Sequence, residues 1–267
     1  MTPVVSSGDT DVFYDWAVSE IGAKNKGNSA LVLLQNGVVA KQYFSNNQDT
    51  IDENTLFATA AFSKWVAALG VLSLVEDKLV DLDAPVSNYL TRWKLPESEF
   101  DNDQVTVRLL LSHTAGLKDG LGFGDYQFDE VIPPVEDELR SPRASSGENF
   151  EIAVGVEPGA EFNCSGGGYL ILQLLVEEVS GVTFSEYIQQ TIFDPLGMDR
   201  STYSSVAGLD NVSSSYELDG TKATSFQYTS AAATGLASSP SDLSKLAKSI
   251  LAADGMPIGE KNSSRNA

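Results

Sequence analysis

Apolar and polar positions along this chain change period several times, and each change marks an element. Residues 11–23 carry a short helical pattern. Residues 30–44, ALVLLQNGVVAKQYF, place two apolar runs on either side of Asn36-Gly37, the strongest short-range signal for a β-hairpin. After a loop rich in Asn and Asp, the helical period returns over residues 61–77. There Val66, Leu69, Val71, Leu72 and Val75 cover so much of the circumference that the helix is expected to lie in the core. Leu82-Asp83-Ala84-Pro85 leads into a short helix through Tyr89, and residues 105–117, VTVRLLLSHTAGL, predict another with Thr106 as N-cap and a tight Ala-Gly turn at its end. Residues 118–156, with Pro133-Pro134 and Arg140-Ser141-Pro142-Arg143, read as irregular, the kind of stretch that forms a functional lid or a mobile segment. The helical period resumes over 169–179, 183–192 and 241–252, and no internal repeat is present.

Composition narrows the class. With 267 residues, 42% hydrophobic and 20% charged, the chain is large enough for one sizeable domain or two closely joined ones. Its longest apolar stretch, 65–75, is broken by Gly70 and Ser73 and is too short to cross a bilayer, and residues 1–10 lack the basic start and apolar run of an export signal. The chain is therefore expected to be soluble. Seventeen basic against thirty-seven acidic residues leave a net charge of −20, which repels nucleic acid and anionic membrane surfaces and suits a salt-rich medium.

The single cysteine, Cys164, excludes an internal disulfide, and the single histidine, His113, excludes a histidine-rich zinc site; no metal or cofactor is expected. A Ser-His-Asp relay would have to run through His113. Its place between a helix end and a tight turn suits a residue that ties down its own turn.

The candidate chemistry lies in residues 57–64, FATAAFSK. In an S-x-x-K motif a serine opens a helix and a lysine follows one turn later on the same face. Here Lys64 is present, and Ala61 stands where the hydroxyl would be. The stretch extends into LFATAAFSKWVAALGVLSLVEDKLVDLDAPVSNYL at 56–90. It is followed by VTVRLLLSHTAGL at 105–117, EPGAEFNCSGGGYLILQLLVEEVSGVTFSEYIQQTIFDPLGM at 157–198, and AAATGLASSPSDLSKLA at 231–247. In this order the blocks resemble the family of serine β-lactamases, penicillin-binding proteins and related esterases and D-alanyl-D-alanine carboxypeptidases, most closely its class C-like branch.

The resemblance implies an α/β (α+β) fold in which an antiparallel sheet flanked by helices is joined to an all-helical domain, with the active site in the cleft between them. Residues 1–60 would form the N-terminal part of the α/β domain with its hairpin, 61–230 a mainly helical domain carrying the cleft motifs, and 231–267 a return segment. In that family a serine attacks a carbonyl, a lysine and the tyrosine of a Tyr-x-Asn motif handle its proton, and the acyl-enzyme is hydrolysed. By this alignment of motifs the tyrosine position falls on Cys164 and the substrate-orienting asparagine position on Gly166. A late Lys/His-Thr/Ser-Gly motif has no counterpart, since Lys222-Ala223-Thr224 comes too early and lacks the glycine. The strands that would finish the sheet are expected to be missing, which leaves a hairpin edge unpaired and one face of the 61–77 helix less covered, and so suggests a homo-oligomer.

Three readings follow: an impaired member of a serine hydrolase family, a non-catalytic module that holds a small-molecule or peptide carbonyl ligand, or a hydrolase rewired through Cys164. A thiol beside an ammonium gains thiolate character, whereas a free cysteine more often packs as a small hydrophobe. Ser63 points away from the face shared by positions 61 and 64 and reads as structural. Lys64, with no hydroxyl to activate, is expected to pair with an acid or to be hydrated.

Overall fold

The computed structural model describes residues 9–45, 49–119, 126–143 and 151–252. Parts of the 118–156 stretch and the last residues of the chain therefore lie outside the described residues. Helix α1 (Thr10–Lys24) begins at Asp9, whose carboxylate caps the N–H groups of Asp11 and Val12. Strands β1 (Ala30–Gln35) and β2 (Val38–Phe44) form the expected hairpin. Its two turn residues, Asn36 and Gly37, take φ of 53° and 75°, the left-handed pair that matches the twist of the strands.

Two strands of two residues each had no periodic signal. β3 (Phe57–Ala58) pairs antiparallel with β4 (Ala237–Ser238), and Thr202 adds a bridge to Ala237 on the other side. This patch joins the start of the 61–77 region to the return segment. Among the described residues β1 pairs only with β2, so each keeps an unpaired edge.

The 61–77 helix proves to be a 3-10 turn, Ala60–Phe62, followed by α2 (Ser63–Glu76). One side of α2 opens to solvent, where Trp65 is 39% and Leu72 42% exposed, while Val66, Ala67, Val71 and Leu74 are buried in the core. The central helix is α5 (Gly166–Ser180), whose residues are all buried from Gly166 to Val176. A helix apolar on every face needs neighbours on every face. α5 finds them in α2, in α3 (Val107–Leu111), in α4 (Val135–Arg140), in α6 (Phe184–Ile188) and in α8 (Ala231–Thr234). At 1.5–3 kcal/mol for each large side chain taken out of water, roughly, this helix anchors the core.

The helix expected over 183–192 runs further than the pattern suggests. α6 passes into a π-helical turn, Gln189–Phe193, and then into α7 (Asp194–Leu196), which closes on left-handed Gly197. Gly70 lets α6 approach α2, since a Cβ there would lie 2.3 Å from the Ile188 side chain. α9 (Pro240–Leu251) starts at the Ser239 cap, one residue before the predicted 241–252. α3 is much shorter than 105–117. Thr106 caps it through the Leu109 N–H, but His113, directly after the Ser112 C-cap, turns left-handed at φ 59° and ends the helix early.

Candidate active site

Ala61 sits in the 3-10 turn with its side chain exposed. Several bonds fix it there. Thr59 donates both its N–H and its hydroxyl to the Leu236 carbonyl, each at 2.9 Å. Ala60 is held in the left-handed region at φ 46°, a conformation that costs a non-glycine residue about 1–3 kcal/mol and persists only where its surroundings impose it. Ser63 is fully buried. Its hydroxyl donates to the Ala60 carbonyl at 2.5 Å and accepts the Leu236 N–H at 2.9 Å, while the buried Tyr203 phenol donates to the Ser63 carbonyl at 2.6 Å. The structural reading of Ser63 thus has its partners, and its hydroxyl is fully committed.

One turn on, Lys64 is half-buried and donates to the Ala233 carbonyl at 3.0 Å, with its ammonium 5.8 Å from the centre of the Tyr169 ring. Its protein partners are thus a carbonyl and a ring rather than an acid. No carboxylate among the described residues comes within ion-pair distance of it. Burial lowers its pKa below the usual lysine value, and the neighbouring Cys164 and Asp119 offset this only in part.

Cys164, partly exposed, is carried on a short segment that other residues hold in place. His113 grips it on both sides: its carbonyl accepts the Asn163 N–H at 2.8 Å, and its Nδ1 accepts the Ser165 N–H at 3.1 Å. The histidine therefore ties down the cysteine segment across the fold as well as its own turn. Burial, and then the charge on Lys64, lower its pKa, so the ring stays neutral and able to accept. It lies between Tyr169 and Phe162, with ring centres 5.1 and 5.8 Å away. Asn163, the first residue of a glycosylation triplet, spends its amide on the Leu117 carbonyl at 2.7 Å.

Gly166, at the asparagine position, opens α5 and is buried. The sequence pattern starts this helix at Tyr169, because three glycines are poor helix formers. The structure begins it at Gly166, because the donors of its first turn are satisfied. Asp119, 5% exposed, accepts the Ser165 hydroxyl and the Gly167 N–H, each at 2.6 Å, and Ser165 in turn caps the Gly168 N–H at 2.8 Å. Burial raises the carboxyl pKa of Asp119, against the pull of these donors. Asp119 and Tyr169 belong to the site although neither was singled out in the sequence. Asp119 lies 46 residues before the serine it binds, and nothing local marks the pair.

Four features thus converge: an exposed methyl at a rigidly held helix start, an amine one turn later, a half-buried thiol, and a neutral histidine that holds the thiol segment. The family model described as Beta-lactamase matches residues 17–266. Penicillin-binding protein 4* of Bacillus subtilis (strain 168) is 27% identical over 186 residues, 68% of this chain and 39% of its own length. Esterase EstB of Burkholderia gladioli is 27% identical over 163 residues, 55% of this chain and 38% of its own length. The chain thus spans less than half the length of these two relatives. The structure of the octameric penicillin-binding protein homologue from Pyrococcus abyssi superposes with a TM-score of 0.67 at 25% identity, covering 90% of this chain and 56% of that one.

Proposed function

This chain belongs to the beta-lactamase family, and from that premise we propose that its cleft binds a small-molecule or peptide carbonyl compound without serine acyl transfer. The observation that carries this reading is the fate of the two candidate hydroxyl positions. Ala61 presents a methyl group to solvent, and the nearby hydroxyl of Ser63 is buried between the Ala60 carbonyl and the Leu236 N–H. A weak nucleophile needs both a base and a free approach to the carbonyl carbon, and Ser63 has no such approach. Cys164 and Gly166 stand at the tyrosine and asparagine positions, so the phenol that would share the proton and the amide that would orient the substrate are absent from those positions. Relatives named for penicillin binding and for esterase activity point to lactam and ester carbonyls as the ligand class.

The test is calorimetric titration of a penicillin and of an unactivated alkyl ester into the protein, with intact mass read before and after. Reversible binding, an unchanged mass and no hydrolysis are expected. Hydrolysis, or a thioester on Cys164, would replace this reading with a working hydrolase rewired through the thiol.

We also propose that the unpaired edges of the β1–β2 hairpin and the open side of α2 join further copies of the chain, in line with the octameric homologue. Sedimentation should then show a species heavier than one chain, and a monodisperse monomer would refute the assembly.

A further inference from the structure

Most lysines of the structure are ordinary surface cations, and several have acid partners. Lys24 pairs with Glu20, Lys41 with Asp11 at 2.7 Å, and Lys245 with Asp242 at 2.9 Å. Asp11 raises the Lys41 pKa, which keeps that amine protonated. Lys64 differs in every respect. It is half-buried, its hydrogen-bond partner is the neutral Ala233 carbonyl, and the face of Tyr169 lies on one side of it. The residue one turn before it on the same face is Ala61, small and exposed.

From this placement we infer that Lys64 is an amine nucleophile that forms a reversible imine with an aldehyde or ketone in the cleft. The inference rests on the reading that the cleft admits a carbonyl group. The neutral amine donates its lone pair to the carbonyl carbon while the carbonyl π bond opens, giving a carbinolamine. The carbinolamine hydroxyl then leaves with a proton as water, and the C=N bond forms; no oxidant or reductant is needed. Burial supplies the chemical condition, because a desolvated lysine loses its proton more readily than a hydrated one. The titratable groups around the amine are Cys164 and Asp119, which favour its proton, and His113, which is neutral; the Tyr169 phenol is occupied with the Leu111 carbonyl.

Benzaldehyde with sodium cyanoborohydride reads the imine directly, since reduction converts it into a permanent benzyl amine that peptide mapping locates. At neutral pH the first equivalent of label should fall on Lys64, ahead of the α-amino group and exposed lysines such as Lys24 and Lys94. Lys64→Arg and Lys64→Met should both lose that equivalent while melting no lower than the unsubstituted protein. Two variants are used so that one misfolded protein does not decide the matter. Label spread over surface amines with Lys64 no faster, or an undiminished first equivalent in either folded variant, would overturn the assignment. Penicillin binding is titrated in parallel. Failed trapping with penicillin still bound removes only the imine, whereas failure of both removes the carbonyl-binding cleft as well.

Discussion

Ala61→Ser is expected to take up one acyl group from a penicillin or an alkyl ester, where the unsubstituted chain takes up none. The position is prepared for it. Thr59, Ser63 and Tyr203 hold the backbone around residue 61 through the Leu236 backbone and the Ser63 carbonyl, so a serine there would start in a defined place. Lys64 follows one turn later, and burial has already shifted its amine toward the neutral form that can accept a proton. A positioned base contributes roughly 10²–10⁴ in rate, and acylation should rise by that order over background. Release should remain slow, because a thiol stands at the Cys164 position and no side chain at Gly166. The expected product is therefore a trapped ester, labile to hydroxylamine and mapped to the peptide bearing position 61. Adding Lys64→Met should abolish it. An unmodified mass in Ala61→Ser, or acylation indifferent to Lys64, would mean that more than the hydroxyl separates this cleft from acyl transfer.

The same site shows why some parts of this molecule are legible in its sequence and others are not. The hairpin is a local matter: two apolar runs and Asn36-Gly37 specify both the strands and their turn. Caps are equally local, and Thr106 does what a residue of its type before an apolar run should do. Lys64 and Ala61 could be named because their motif spans one turn of chain. Asp119 could not, since it works by receiving Ser165 and Gly167 from a distant segment, and only the fold brings them together. The glycine start of α5 was hidden for the same reason: propensity opposed it, and a tertiary carboxylate overrode propensity. Which side of α2 stays open is not legible from its composition, because apolar residues show what a helix can bury and leave open which neighbours arrive.

Gly116→Ala should be the most damaging single change near the site, with an expected loss of about 2–5 kcal/mol. About 1–2 kcal/mol comes from holding a residue with a Cβ in a left-handed conformation, at φ 75° here. A further 1–3 kcal/mol, roughly, comes from overpacking, since that Cβ would stand 2.1 Å from the Val156 carbonyl oxygen, which belongs to backbone and cannot rotate away. The damage should spread, because residues 113–117 form the hub on which the cysteine segment hangs. The Gly116 carbonyl accepts the N–H groups of Gly155 and Val156 at 2.9 and 3.2 Å, Thr114 accepts that of Gly159 at 2.7 Å, and His113 accepts those of Asn163 and Ser165. Gly37→Ala supplies the matched control, with the same φ of 75° and nothing within 4 Å of its added Cβ. It should lose only the backbone cost, about 1–2 kcal/mol. Thermal melting of the two variants side by side separates strain from collision. If Gly116→Ala melts no lower than Gly37→Ala, the turn yields to the extra methyl, and the hub that positions Cys164 beside Lys64 is softer than its hydrogen bonds imply.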